Sequence, residues 1–268
     1  MVDPRLNCKS CRQCSLQNEH RCPSFGFLGY SGFGGGFSEV CPVEEHMLYK
    51  LPDNVDLSVA ALVEPLVVAY HAVKLTGWDD LSEKSALIVG GGPVGYAVAL
   101  ALRAKGCKKI VLSEPTRKRL EQTGKVVEVV VDPTQEDVGE KCREVTDGAG
   151  VDVGFDCAGV QRGLDAALDA IAYGGTWVNV SLWENDFTVP FWKFFIKEIK
   201  MIGSFCYNMI DFAETMDLLA QGKFGDFPKM ITGRISLEDV AEKGFRQLIE
   251  NKDDHVKILV TAKKDLLI

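Results

Sequence analysis

Four cysteines, Cys8, Cys11, Cys14 and Cys22, crowd into fifteen residues with the spacing C-x2-C-x2-C-x7-C. Spacings this short bring thiolates close enough to surround a tetrahedral zinc, whose Zn–S bonds are about 2.3 Å. Four thiolates leave no open coordination position, so the zinc they imply is structural. An iron–sulfur reading has one point of support, Pro23 after the last cysteine. The bacterial ferredoxin run, however, has three residues before its final cysteine, and seven stand here. Unrelated free thiols are the bland alternative.

A second chemistry-bearing stretch is Ala86-Leu-Ile-Val-Gly-Gly-Gly-Pro-Val-Gly95. Aliphatic residues suited to a buried parallel strand lead into glycines at 90, 92 and 95, and an apolar run follows to Ala104, with Gly106 as a stop. The pattern reads as strand, tight turn and helix, with the helix N-terminus offered to a pyrophosphate. Gly90 permits the turn, and Gly92 lets a phosphate approach the backbone where the helix opens at Pro93 and Val94. Gly95 lets helix and strand pack closely. Glu114 follows Gly90 by 24 positions, at the end of the next expected strand. An acidic side chain there accepts hydrogen bonds from an adenosine ribose and repels a 2′-phosphate, which favours NAD over NADP. Arg117 and Arg119 qualify this, since either could meet a phosphate. Surface charge alone is the plain alternative.

The elements that must position these residues follow from alternation. Strands are expected at 86–90, 109–114, 127–131, 151–156, 176–181 and 198–204. Helices are expected at 65–75, 93–105, 117–123, 135–146, 161–172 and 209–221. Thr134 with Asp137 suggests a capping box for the third of the helices that follow the glycine turn. Six strands with crossover helices predict an α/β, doubly wound parallel sheet with ligand at the carboxyl ends of the strands. Phe37–Val43 and Met47–Leu51 read as short strands, the glycine-rich stretch 26–36 as a surface loop, and 257–261 as a last strand. Ser236 with Asp239 reads as the start of a helix running to about Asn251.

The 268 residues carry a net charge of -8, with 46% hydrophobic and 25% charged residues. That balance suits a soluble globular protein and argues against general nucleic-acid affinity. No apolar run reaches membrane-spanning length. A cytoplasmic location is expected, with no membrane and no nucleic-acid partner.

From Cys8 onward the sequence resembles the zinc-containing medium-chain alcohol dehydrogenases, in particular the butanediol and sorbitol (polyol) dehydrogenases. The resemblance is carried by the four-cysteine lobe and by Gly-Gly-Gly-Phe-Ser-Glu at 34–39. It continues through Lys50-Leu-Pro-Asp-Asn54, Ala61-Leu-Val-Glu-Pro-Leu66, the glycine turn, Ser113-Glu-Pro115 and Phe155-Asp-Cys-Ala-Gly159. It implies a six-stranded Rossmann sheet beside part of a mostly-β, GroES-like catalytic domain with a structural zinc lobe. The implied division is 1–66, an NAD-binding 67–208, and a segment 209–268 that returns to the first domain.

Several roles rest on the resemblance alone. Glu64 lies beside a catalytic zinc, bound directly or through its water; otherwise it is an ordinary helix-start carboxylate next to Pro65. A basic residue near Arg119 is placed at the cofactor. Cys157-Ala-Gly159 and Val180-Ser181-Leu182 contact the cofactor through backbone, the second near the nicotinamide, with Phe205 close by. Sorbitol dehydrogenases carry an arginine where Cys206 stands, which shifts the expected substrate toward a secondary alcohol or small diol. His71 is expected in the core and His46 on a surface turn.

Full-length members also begin with a stretch bearing a catalytic cysteine, a Gly-His-Glu zinc motif and the first hydroxyl of a proton relay. None of the histidines at 20, 46, 71 and 255 lies in such a motif. The expectation is therefore NAD and a structural zinc without the catalytic metal, and strands near 37–51 and 257–261 left unpaired. Three functions follow: an NAD-dependent alcohol or diol dehydrogenase, a catalytically inactive NAD- and zinc-binding protein, and, from the glycine turn alone, a methyltransferase. A homodimer or homotetramer is expected, with 198–204 as the pairing edge.

Overall fold

The computed structural model describes residues 1–32 and 34–263. The chain divides into two compact units, Met1–Val67 with Cys206–Ile268, and Val68–Phe205. No helix among the described residues is long and apolar enough to cross a membrane.

In the first unit β1 (Arg5–Leu6) pairs antiparallel with β2 (Gly26–Phe27), so the glycine-rich stretch is not loop throughout. Between them lies a single turn, α1 (Arg12–Ser15). The helix α2 (Val63–Lys74) starts in this unit, with Glu64 in its first turn, and its chain continues into the second.

In the second unit each strand but the last is followed by a crossover. The order is β3 (Ser85–Val89), α3 (Pro93–Ala104), β4 (Lys109–Ser113), α4 (Arg117–Thr123), β5 (Val129–Val131), α5 (Val138–Glu144) and β6 (Val151–Asp156). Then come α6 (Gln161–Ala170), β7 (Ile171–Asn179), α7 (Phe191–Lys197) and β8 (Lys200–Gly203). All six strands are parallel, in the order β5-β4-β3-β6-β7-β8. This is the doubly wound sheet expected from the alternation, with its switch point between β3 and β6. β3 is buried from end to end, as a central strand covered on both faces must be. β8 lies at one edge.

Back in the first unit, α8 (Met209–Ala220) opens with a true capping box. The Asn208 side chain accepts the Asp211 N–H at 2.8 Å, and the Asp211 carboxylate accepts the Asn208 N–H at 3.0 Å. β9 (Ile231–Ser236) pairs parallel with β10 (Lys257–Thr261) across a π-helical turn at Val240–Phe245 and α9 (Arg246–Glu250).

Several expectations are corrected. Residues 257–261 are paired, not orphaned, because Ile231–Ser236 supplies a strand that the sequence reading passed over. Phe37–Val43 forms no strand, and Met47–Leu51 contributes one bridge, Val2 with Leu48. Pro42 has no N–H to give a ladder, and Glu45–Met47 closes into a 3₁₀ turn instead. Asp137, not Thr134, caps α5, accepting the Glu140 N–H at 2.6 Å. The Thr134 hydroxyl is taken by Asp132 at 2.7 Å. The helix expected from Ser236 begins at Val240, since the Ser236 hydroxyl meets the Asp239 carboxylate and caps no backbone. β7 begins at Ile171, five residues early, and α7 was not expected.

Candidate functional site

At the four cysteines the chain wraps one point. Neighbouring Sγ atoms lie 3.5 Å apart for Cys11–Cys14, 3.5 Å for Cys8–Cys22 and 4.0 Å for Cys8–Cys14, and all four lie within 4.8 Å. Four sulfurs around a tetrahedral zinc stand about 3.8 Å from one another, so the set fits zinc. The wrapping is local. Asn7 Oδ1 accepts the Lys9 N–H at 3.1 Å, and Lys9 and Gln17 take left-handed φ of 58° and 59°. Backbone N–H groups of Cys11 and Ser24 point at Cys8 and Cys22 sulfurs, both at 3.3 Å. Such donors favour thiolate, and the N–H and hydroxyl of Ser10, with the Cys11 N–H, draw the Cys8 thiol down to about 6.

In the second unit the strand register builds one rim. Val89 pairs with Ser113 and with Asp156, Asp156 with Asn179, and Asn179 with Gly203. The residues that follow, Gly90, Glu114, Cys157 and Val180, therefore leave the sheet side by side at its carboxyl edge. Gly90 turns with φ 98°. A Cβ on Gly95 would lie 1.9 Å from the Gly90 carbonyl oxygen, so no side chain fits there. A Cβ on Gly92 would meet only the tip of Arg119, at 3.9 Å. Among the described residues nothing demands glycine at 92, so the space above it is open to a ligand. Gly92 has no side chain to cap the helix and Pro93 has no N–H, so no capping side chain at Gly92 takes up the Val94 and Gly95 N–H groups that open α3. A turn of this shape can cradle an anionic group.

Glu114 is buried at the same turn. Its carboxylate accepts the Gly91 N–H at 2.7 Å and the Thr116 N–H at 2.8 Å. The Thr123 hydroxyl donates to the Gly91 carbonyl at 2.7 Å. Two donors leave the carboxylate with further acceptor capacity, since it has about four lone-pair sites. Cys157 and Ser181 are half-buried on the neighbouring loops, Leu182 is 92% exposed and Phe205 is 55% exposed. Burial and the Asp156 carboxylate push the Cys157 thiol well above its ordinary range.

Glu64 belongs to the first unit, where the company it keeps was not foreseen. Burial raises its carboxyl above the ordinary carboxylate range, against the pull of Lys257 and a hydrogen bond with the Tyr207 hydroxyl. Tyr207 is fully buried. Arg5 donates to the Tyr207 carbonyl at 2.5 Å, stacks 4.4 Å over its ring, and forks onto Asp3 at 2.6 and 3.0 Å. Cys206 sits beside them with a left-handed φ of 51°, and burial, with Glu64 nearby, pushes its thiol up to about 12. Among the described residues only the four cysteines converge as three or more ligating side chains. The chain's own residues around Glu64 do not make a three-ligand zinc site, so no step through a catalytic zinc is derived.

Sequence reasoning missed Asp3, Arg5 and Tyr207. The one available signal was a charged pair two apart, Asp3 and Arg5, flanked by apolar Val2 and Leu6. His71 is buried within α2, and His46 lies exposed beside Glu44, at 3.3 Å.

Residues 93–221 match the family model "Zinc-binding dehydrogenase", and residues 1–53 match "Alcohol dehydrogenase GroES-like domain". The chain is 37% identical over 264 residues to (R,R)-butanediol dehydrogenase of Saccharomyces cerevisiae, covering 95% of this chain and 68% of that protein. It is 36% identical to a probable diacetyl reductase ((R)-acetoin forming) of the same yeast, covering 97% and 64%. The chain thus spans about two thirds of the length of these relatives. The crystal structure of 2R,3R-butanediol dehydrogenase from Bacillus subtilis superposes with a TM-score of 0.88 at 34% identity, covering 98% of this chain and 73% of that one. A Sinorhizobium meliloti protein described as "a putative zinc-binding dehydrogenase", solved with NADP bound, gives 0.84 at 27% identity, covering 97% and 75%.

Proposed function

We propose a function from one premise: this chain belongs to the zinc-binding alcohol dehydrogenase family, in its butanediol and polyol dehydrogenase branch. The chain binds NAD across the carboxyl edge of the β3–β8 sheet and serves hydride transfer between NAD and a secondary alcohol or small diol of the 2,3-butanediol type. NAD supplies the hydride acceptor when bound. Gly90, Gly92 and Gly95, with Pro93 and Val94, hold the pyrophosphate. Glu114 takes the ribose, with Arg119 at its side. Cys157 and Phe205 contact the cofactor, and Val180, Ser181 and Leu182 line its nicotinamide end. Cys8, Cys11, Cys14 and Cys22 hold a structural zinc.

The observation that carries this reading is the Gly91 N–H bond to Glu114 at 2.7 Å. It fixes a carboxylate against the phosphate-binding turn, where a 2′-phosphate would meet like charge. Glu64, its carboxyl raised by burial and hydrogen-bonded to the Tyr207 hydroxyl, is the candidate titratable group of the first unit.

A second reading, NAD and zinc binding without turnover, is supported by Glu64 standing in no three-ligand group among the described residues. Absorbance at the reduced-nicotinamide band separates the two, with the purified chain, NAD, zinc and 2,3-butanediol as the mixture. Zinc-dependent NADH formation supports the dehydrogenase. NAD binding with one zinc per chain and no NADH supports the second reading. A chain that binds S-adenosylmethionine and not NAD would return the methyltransferase reading and refute both.

A further inference from the structure

We propose that Asp156 is a positioning residue that fixes the nicotinamide end of the dinucleotide site by tying together the loops after β6 and β7. The inference rests on the reading that Cys157–Gly159 and Val180–Leu182 line the cofactor.

Asp156 is the last residue of β6 and is 1% exposed. Its carboxylate serves both loops at once. Oδ1 accepts the N–H of Ala158 at 3.0 Å and of Gly159 at 2.9 Å, closing the loop after its own strand. Oδ2 accepts the Trp183 indole N–H at 3.1 Å, from the loop after the neighbouring strand. The Asp156 carbonyl accepts the N–H groups of Val180 and Ser181, both at 2.9 Å. The second loop is braced again by Asn179. Its Oδ1 accepts the same indole N–H at 3.1 Å and the Ser181 hydroxyl at 2.9 Å, while its amide donates to the Ser181 carbonyl at 3.1 Å. The Trp183 ring stacks on Phe187, centroids 4.3 Å apart, and packs on the sheet core.

The loops also press on each other. Gly159 has φ 65°, and a Cβ there would stand 3.3 Å from both the Leu182 carbonyl and the Ser181 hydroxyl. A short Asp commonly closes the turn that follows it. Here the second oxygen reaches a different loop through an indole, and an indole N–H can only donate. Loops that present backbone groups to a ligand gain affinity when their shape is set before the ligand arrives.

Only a carboxylate suits this position. In Asp156→Asn the amide NH2 must face either two backbone N–H groups or the indole N–H, donor against donor. Removing the indole N–H in Trp183→Phe frees that side, and the amide can then donate to Asn179 Oδ1 in its place. The rescue distinguishes positioning from a general loss of fold.

The test measures Kd for NAD and for ADP-ribose, which lacks the nicotinamide, by calorimetry on the full chain. Asp156→Asn is expected to weaken NAD about tenfold and to leave ADP-ribose within about twofold. Adding Trp183→Phe is expected to bring NAD back to within about threefold of wild type. Trp183→Phe alone, which keeps the carboxylate, is expected to weaken NAD about threefold and ADP-ribose not at all; it carries the test should Asp156→Asn not fold. Equal loss of both ligands, unchanged NAD affinity, or a double variant no better than Asp156→Asn would overturn the proposal while the NAD reading stands. Wild-type chain that binds neither ligand would overturn the NAD reading, and the proposal with it.

Discussion

Around Gly90 the phosphate turn and its carboxylate lie within 25 residues, from Gly90 to Glu114. Around Glu64 the parts come from Asp3, Arg5, Glu64, Tyr207 and Lys257, spread over nearly the whole chain. The first arrangement is held by backbone geometry: a left-handed Gly90, a Gly95 with no room for a side chain, and a carboxylate on the turn's own N–H. The second is held by side chains, as a buried guanidinium bridges a carboxylate, a ring and a carbonyl. A backbone-built site is sensitive to added volume, whereas a side-chain-built one is sensitive to removed charge.

Gly95→Ala strikes the first site hardest. With its Cβ 1.9 Å from a carbonyl oxygen, β3 and α3 must part. A loss of at least about 3 kcal/mol and the disappearance of NAD binding are expected, read by urea unfolding and calorimetry. A variant as stable as wild type would break the account of the turn.

Arg5→Ala is the matching blow to the second site. It leaves Asp3, 6% exposed, without its ion pair, at a cost of about 3 kcal/mol. NAD affinity measured below the melting transition should stay within about twofold, since no cofactor contact is touched. A tenfold loss of NAD affinity would erase the contrast drawn above.

Gly92→Ala sharpens the comparison. Its Cβ meets only Arg119, so stability should hold within about 0.5 kcal/mol while NAD weakens about tenfold. Loss of stability without loss of affinity would mean that Gly92 serves packing instead of ligand approach.

The smallest effect is a pH dependence at Glu64. Burial is the main cause of its raised pKa, so the fold accommodates the neutral carboxyl better than the charged one. That contribution is complete below the ordinary carboxylate value and is lost as pH rises through the raised one. Glu64→Gln stays neutral throughout. Its melting temperature should match wild type at about pH 4 and exceed it at about pH 8. The opposite trend would mean that Lys257 and Tyr207 outweigh burial.

The same contrast explains what the sequence made legible. Six strands and the glycine turn announce themselves because each is a contiguous pattern, and the four cysteines because thiolates must be near in sequence to close so small a lobe. Glu64 was visible only through its motif. Asp3, Arg5 and Tyr207 left no pattern, since contacts some 200 residues apart have no spacing to read. β9 was passed over because Ile231-Thr-Gly-Arg-Ile-Ser alternates weakly around a glycine, and only β10 completes it. Asp156 stood in a quoted motif without a role, because its partner Trp183 lies on another strand's loop.

The central claim is that a carboxylate at the glycine turn makes this an NAD site. The most direct test titrates the zinc-loaded chain with NAD and with NADP under identical calorimetric conditions. NAD is expected to bind at least about tenfold more tightly, the difference a 2′-phosphate against Glu114 should make. Equal affinities, or tighter NADP, would contradict the account.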